Sequence, residues 1–62
     1  MEYSLINTIE CEAYRIEVWI HDATSDHGWV LKYRNGDLKD IARFEPFTRV
    51  YKTVVAMHIS GY

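Results

Sequence analysis

The sequence contains one cysteine, one proline and three glycines among its 62 residues. A single cysteine excludes an intrachain disulfide, and no group of cysteine and histidine residues has the spacing of a zinc site. So little proline and glycine excludes a collagen-like or linker-like chain. The longest aliphatic run near the end, residues 54–57, is far too short to cross a bilayer. We therefore expect no cofactor, no structural metal and no membrane association.

The sequence also lacks the marks of an exported protein. A lone thiol is typical of a reducing compartment, and Glu2 stands where a signal peptide would begin its basic and apolar segments. The expected location is the cytoplasm. Residues 1–62 are expected to form one small domain, which buries only about 60% of the surface that its unfolded chain exposes. Self-association, most simply as a homodimer, is an expected source of further stability.

The composition is that of a folded domain, with 48% hydrophobic, 26% charged and 15% aromatic residues. The net charge of −2 favours neither nucleic acid nor membrane, but the charges are unevenly placed. Residues 1–27 carry six acidic side chains against one basic, and residues 28–62 carry six basic against three acidic. The simpler interpretation is that acidic and basic strands lie side by side, and the alternative is a basic binding face.

Alternation of apolar and polar residues predicts three strands in the first part of the chain. Residues 3–10 alternate except at Ile6 and Asn7, which interrupt the pattern. After a polar turn, the next strand places on its apolar side Tyr14, Ile16, Val18 and Ile20. Its other side carries Arg15, Glu17, Trp19 and His21. A loop over residues 22–28 leads to a third strand, in which Val30, Lys32 and Arg34 alternate with Trp29, Leu31 and Tyr33.

The dipeptide of Asn35 and Gly36 is the strongest hairpin signal in the sequence, because both residues tolerate a positive φ. A two-residue turn would place Lys32 opposite Lys39, and like charges in that position are destabilising. A three-residue loop would place Lys32 opposite Asp40, which is a better pairing. We therefore favour a fourth strand over residues 38–44, though only slightly over a short helix.

The fold class follows from these elements and from the last part of the chain. Residues 49–59 are β-branched and aromatic and apolar on both sides, which indicates a strand covered on both faces or paired across a subunit boundary. A helix is the alternative for this segment, but its valine-rich composition counts against it. The sequence thus predicts an all-β fold, a four- or five-stranded antiparallel meander curled into a small barrel-like sheet. The alternative is an α+β fold with one short helix near residues 37–44, which Asp37 would cap and Pro46 would stop.

Residues that could carry chemistry are few. One loop holds His21, Asp22, Asp26 and His27, but their spacing matches no metal motif, and a solvated loop is the simpler interpretation. Nothing in the sequence places Cys11 beside a histidine and an acid, and a domain of this size has little room for a substrate cleft. The glycines are too scattered to form a phosphate loop. We expect that the protein is not an enzyme.

Trp19 is the most informative residue, because an indole on the polar side of a strand is either covered by another element or offered to a partner. The sequence therefore predicts a non-catalytic protein-interaction domain, adaptor or regulatory in character and self-associating. Its candidate interaction residues are Arg15, Trp19, His21 and His58.

Single-stranded nucleic-acid binding by a small β-barrel is the alternative function. The basic C-terminal half interleaves cations with aromatic residues, as in proteins that bind phosphates and stack bases. The overall acidic charge counts against it. Its candidate residues are Lys32, Arg34, Lys39, Arg43, Arg49 and Lys52.

Overall fold

Four antiparallel strands, each hydrogen-bonded to the next along the chain, form one sheet that a single helix covers on one side. The structure is a computed structural model that describes residues 2–61. Its elements are β1 Tyr3–Glu10, β2 Arg15–His21, β3 Gly28–Arg34, β4 Asp37–Phe44, a 3-10 turn Phe47–Arg49 and α1 Val50–Ile59. No helix in this part of the chain is long and apolar enough to span a membrane.

The predicted meander is confirmed, with strand order β1-β2-β3-β4. The sheet does not close into a barrel, and β1 and β4 remain as its two edges. A fold of mostly β structure with one helix is thus observed. The helix lies at the C-terminus and not near residues 37–44, where the structure has β4.

The core lies between α1 and one face of the sheet. Alternate side chains of a strand point to opposite faces, so Ile16 and Val18 of β2 share a face with Val30 of β3. These three side chains are buried together with Phe44 at the end of β4 and Met57 of α1. The helix packs against β3 and β4, which places its axis toward one side of this face.

The prediction of a strand over residues 49–59 was wrong, because residues 50–59 form α1. Valine lowers helix propensity by only several tenths of a kcal/mol per residue, and tertiary packing overrides such differences. Val50, Val54 and Met57 recur at the spacing of one helical face and pack into the core. The Thr53 hydroxyl donates to the carbonyl oxygen of Arg49 at 2.9 Å, which gives this β-branched residue a partner within the helix.

The β3–β4 hairpin combines a two-residue turn with a bulge. Asn35 and Gly36 have φ values of 56° and 81°, and the flanking pair is Arg34 with Asp37. The register then shifts, so that Lys39 is an extra residue and Lys32 lies opposite Asp40. The expected pairing of Lys32 with Asp40 is therefore correct. It results from the bulge at Lys39 and not from a three-residue loop.

A second bulge lies in β1, where the sequence pattern is interrupted. Leu5 pairs with Trp19 and Asn7 pairs with Val18, so Ile6 has no opposite residue on β2. The bulge places Leu5 and Asn7 on opposite faces of the sheet although they are two positions apart. The break in alternation at Ile6 and Asn7 thus had a structural cause.

Lys32 is buried beneath the C-terminal end of α1, with 1% of its surface exposed. Its Nζ donates to the carbonyl oxygen of Met57 at 2.8 Å, to Ser60 Oγ at 3.1 Å and to the Ser60 carbonyl oxygen at 3.3 Å. The ammonium also lies 4.5 Å from the centre of the Tyr14 ring. The last carbonyls of a helix lack intrahelical partners and carry partial negative charge. Lys32 therefore joins the sheet to the helix end.

Replacing Lys32 by alanine should lower the free energy of unfolding by about 2–5 kcal/mol, because it removes the cap and leaves a cavity under α1. Urea unfolding followed by circular dichroism measures the loss. Lys39→Ala is the matched control, since Lys39 is exposed in the β4 bulge and should lose less than about 0.5 kcal/mol. Equal losses in the two variants would contradict the capping role of Lys32.

Gly28 lies directly against the backbone of Trp19 on β2 and the ring of Phe44. A Cβ atom at this position would lie 1.9 Å from the carbonyl oxygen of Trp19 and 2.8 Å from Cζ of Phe44. Gly28→Ala should therefore disrupt the β2–β3 pairing and lower the free energy of unfolding by at least about 4 kcal/mol, or prevent folding.

Gly36→Ala is the matched control. The added methyl group at Gly36 meets nothing within 4 Å, and only the φ of +81° is unfavourable for alanine, so the free energy of unfolding should fall by about 1–2 kcal/mol. Thermal unfolding that ranks the two variants the other way would refute this geometry.

Candidate functional site

The face of the sheet opposite α1 has no cover among the described residues and is largely apolar. We call it the open face. Cross-strand pairing aligns Leu5 with Trp19 and Trp19 with Trp29, while Leu31 pairs with Ile41. Leu5 and Ile41 are 45% and 52% exposed, and the other side chains are partly exposed. The open face is formed by Tyr3, Leu5, Thr8, Glu10, Arg15, Glu17, Trp19, His21, Trp29, Leu31, Tyr33, Leu38, Ile41 and Arg43.

The polar groups at the centre of the open face are paired with one another. Glu17 accepts a hydrogen bond from Trp19 Nε1 at 3.0 Å and one from Arg15 Nε at 3.1 Å. The Arg15 guanidinium also lies 4.7 Å from the centre of the Tyr33 ring. The Glu17 side chain is only 13% exposed as a result. Another surface can therefore cover this region without leaving the indole N–H or the carboxylate unpaired.

The structure brings three of the four predicted interaction residues to one face and separates the fourth from them. Arg15, Trp19 and His21 occupy alternate positions of β2 on the open face. His58 lies on α1, across the sheet, and its Nδ1 is hydrogen-bonded to the Tyr14 hydroxyl at 2.8 Å. Whether these residues bind a partner stays a prediction.

Sequence reasoning missed most of the open face beyond β2. Trp29, Leu31 and Tyr33 alternate along β3 as a core stripe would, yet they face away from α1. The alternation along β3 was the signal that could have identified these residues. The pairing of β3 with β2 places Trp29 beside Trp19, so the side chains that alternate with Trp29 share its face. Only the position of the helix decides which of the two stripes becomes the core.

The β2–β3 loop is ordered by stacked imidazoles. The rings of His21 and His27 are stacked with centroids 4.7 Å apart, and Tyr3 meets His21 edge-on at 5.2 Å. Thr24 contacts both rings, through its backbone N–H to His21 Nδ1 at 3.4 Å and its hydroxyl to His27 Nδ1 at 3.3 Å. In residues 2–61 no three His, Cys, Asp or Glu side chains form a group suited to a metal ion.

The basic residues predicted for nucleic-acid binding do not form one surface. Lys32 is buried and holds the end of α1, so its charge is not presented to a phosphate. Arg34 lies 5.6 Å from the centre of the Tyr14 ring, on the side of the sheet that α1 covers. Arg43 is on the open face and is ion-paired with Glu45 at 3.0 Å. The remaining residues lie in the β4 bulge, the 3-10 turn and α1: Lys39, Arg49 and Lys52. Single-strand binding stays a prediction that this arrangement does not favour.

Tyr14 connects the end of β1 to α1, since its hydroxyl is bonded to His58 and its backbone carbonyl accepts from the N–H of Cys11 at 2.9 Å. A hydrogen bond with the Cys11 side chain raises the pKa of Tyr14 above its ordinary value of 10.0. Partial loss of hydration adds to this increase, while the guanidinium of Arg34 opposes it. The folded protein therefore holds the phenol proton more tightly than the unfolded chain does.

This shift predicts that Tyr14 contributes to stability below pH 10 and that the contribution is lost as pH rises through the higher pKa of the folded state. The difference in unfolding free energy between wild type and Tyr14→Phe should shrink between neutral pH and about pH 11. Urea titrations at a series of pH values measure it. Tyr51→Phe is the control, because Tyr51 is 78% exposed. A difference for Tyr14→Phe that stays constant over this range would contradict the prediction.

The geometry above is the basis for a functional proposal, since the comparisons with known proteins add no relative. No family model, no curated protein and no solved structure matches the chain.

Proposed function

We propose that this protein is a non-catalytic protein-interaction domain, adaptor or regulatory in character, which self-associates as a homodimer through the open face. The observation that carries the proposal is the apolar sheet face centred on Trp19, whose polar groups are paired within the face. Exposed apolar patches of this kind mark interaction surfaces in folded proteins. Tryptophan, tyrosine and arginine dominate the binding energy of such surfaces.

The dimensions of the sheet support a dimer of moderate strength. Strands of seven or eight residues at about 3.3 Å per residue, spaced about 4.8 Å apart, give a face of roughly 25 by 19 Å. Two such faces together remove roughly 1,000 Å² from solvent, which is near the lower limit for a specific interface. We therefore expect an equilibrium between monomer and dimer that depends on protein concentration.

The small core supplies a reason for the association. Five side chains are the buried apolar core of the described chain, and the molecule is only 15 Å thick along its shortest axis. Two open faces packed about 10 Å apart would give each sheet a covered layer on both sides. Since the same surface serves both copies, a two-fold axis closes the assembly at two subunits.

Trp19→Ala should weaken the dimer by at least about thirty-fold in Kd, as expected for a hot-spot residue worth about 2 kcal/mol. Sedimentation velocity over a wide range of protein concentrations measures the equilibrium. Tyr51→Ala is the aromatic control, because Tyr51 is exposed on α1 on the other side of the sheet.

A second pair of variants tests the surface even if loss of Trp19 unfolds the domain. Ile41→Lys places a charge on the open face at a residue that is already 52% exposed, and it should yield a folded monomer. Ile59→Lys introduces the same charge at a residue that is 80% exposed at the end of α1, and it should leave the dimer intact. A wild-type protein that is monomeric at every concentration, or equal effects of the two lysines, would refute the proposal.

A further inference from the structure

A second apolar surface lies on the helix side of the sheet, between β1 and α1. Because α1 packs against β3 and β4, it leaves the β1 side of this face uncovered and forms a groove of about 650 Å³. The volume is within the usual range for binding clefts. Its apolar walls come from β1, β2, the 3-10 turn and α1, and its polar groups are Asn7 and His58. We call it the β1 groove.

The strand that borders the β1 groove is an edge strand whose only protections are the bulge at Ile6 and the charge of Glu10 at its end. Among the residues that the structure describes, no strand lies beside its outer backbone groups, and residues 3–10 contain no lysine, arginine or proline. The other edge, β4, carries Lys39, Arg43 and two aspartates. Proteins commonly place charges or proline on an edge strand to prevent unwanted pairing, so β1 is the edge that remains competent to pair.

The regular part of β1 borders the groove together with the bulge residue Ile6. Ile6 is the bulge residue, but residues 7–10 pair with β2 without interruption. Asn7 and Ile9, two positions apart on the same face, both line the groove. A strand added beside them would therefore direct every second side chain into the groove, toward Val54 and Val55 of α1.

The charges around β1 favour a basic strand over a second copy of β1. Residues 2–12 contain three acidic side chains, Glu2, Glu10 and Glu12, and no basic one. Two β1 strands paired with each other would concentrate like charges along one edge, whereas a partner with lysine or arginine would neutralise them. Charge complementarity thus decides between the two occupants.

We infer that the β1 edge and its groove bind an extended segment of another protein, in which apolar residues alternate with basic ones. The backbone of β1 supplies hydrogen bonds to the added strand, the groove takes its apolar side chains, and the acidic residues attract its cations. The groove lies across the sheet from the open face, so the apolar side chains of the added strand stay outside the dimer interface, whereas its basic side chains lie beside Glu10 on the open-face side.

The test uses an acetylated and amidated octapeptide of alternating lysine and valine as the probe. Titration into isotopically labelled protein, followed by NMR, should shift the amide signals of residues 7–10 and of α1 and slow the exchange of β1 amides. Matched peptides separate the contributions. Alternating glutamate and valine should bind roughly ten-fold or more weakly, and a proline at the centre of the lysine–valine peptide should abolish binding.

Two neighbouring helix variants locate the site. Val55 lines the groove and Ala56 does not, and both are exposed, so Val55→Lys and Ala56→Lys introduce the same charge one residue apart. Val55→Lys should weaken the lysine–valine peptide roughly ten-fold, and Ala56→Lys less than about three-fold. Circular dichroism checks that both variants fold.

Four results would overturn the inference: no binding of the peptide, equal effects of the two lysines, equal binding of the glutamate peptide, or shifts confined to the open face. Self-association that Val55→Lys abolishes would also overturn it, since a second copy would then occupy the groove. Ile41→Lys should bind the peptide as wild type does. If that variant is still dimeric but binds the peptide, the open-face proposal fails while the β1 site stands.

Discussion

One helix cannot cover a sheet of four strands, and the surface of this protein follows from that constraint. A helix is about 10 Å wide, whereas four strands spaced about 4.8 Å apart span roughly twice that distance. In the described chain α1 packs mainly over β3 and β4 and also covers the core side chains of β2, so the β1 part of one face and the whole of the other stay without cover. The apolar side chains placed there are partly or largely exposed in the monomer. They are available for contacts with other chains.

The position of the helix depends on an unusual buried cation. Lys32 occupies a core position of β3, opposite Ile16, where an aliphatic residue would ordinarily lie. Within residues 2–61 no carboxylate forms an ion pair with its ammonium, which donates hydrogen bonds to the carbonyl oxygen of Met57 and to Ser60 and lies against the Tyr14 ring. Burying a charge is costly unless polar groups replace its water. The helix end supplies those groups, so α1 is held where its C-terminus reaches Lys32, over β3 and away from β1.

Local signals predicted much of the sheet, and long-range packing decided the rest. Period-two alternation, the dipeptide of Asn35 and Gly36 and the break at Ile6 each act between neighbouring residues, so the strands, the turn and the β1 bulge could be derived from the sequence. The helix at residues 50–59 could not, because its valines match a strand equally well and only contact with the sheet selects the helix. Alternation also places Trp29 and Leu31 on one face of the sheet, but it does not show which face α1 covers. Because α1 covers the opposite face, His58 on α1 is separated from Trp19.

The distribution of apolar residues supports the proposal that this chain associates with other chains. Within residues 2–61, five apolar side chains form the buried core, whereas eight large ones are exposed. Scattered single residues would need no explanation. Here Leu5 and Ile41 border the open face, while Ile6, Phe47, Tyr51 and Val55 border the β1 groove, so most of them fall into two patches. The patches lie on opposite sides of the sheet and share no lining residue, so occupation of one does not block the other. A domain of this kind is suited to holding two chains together, because a dimer through the open face would present two β1 grooves on its outer sides.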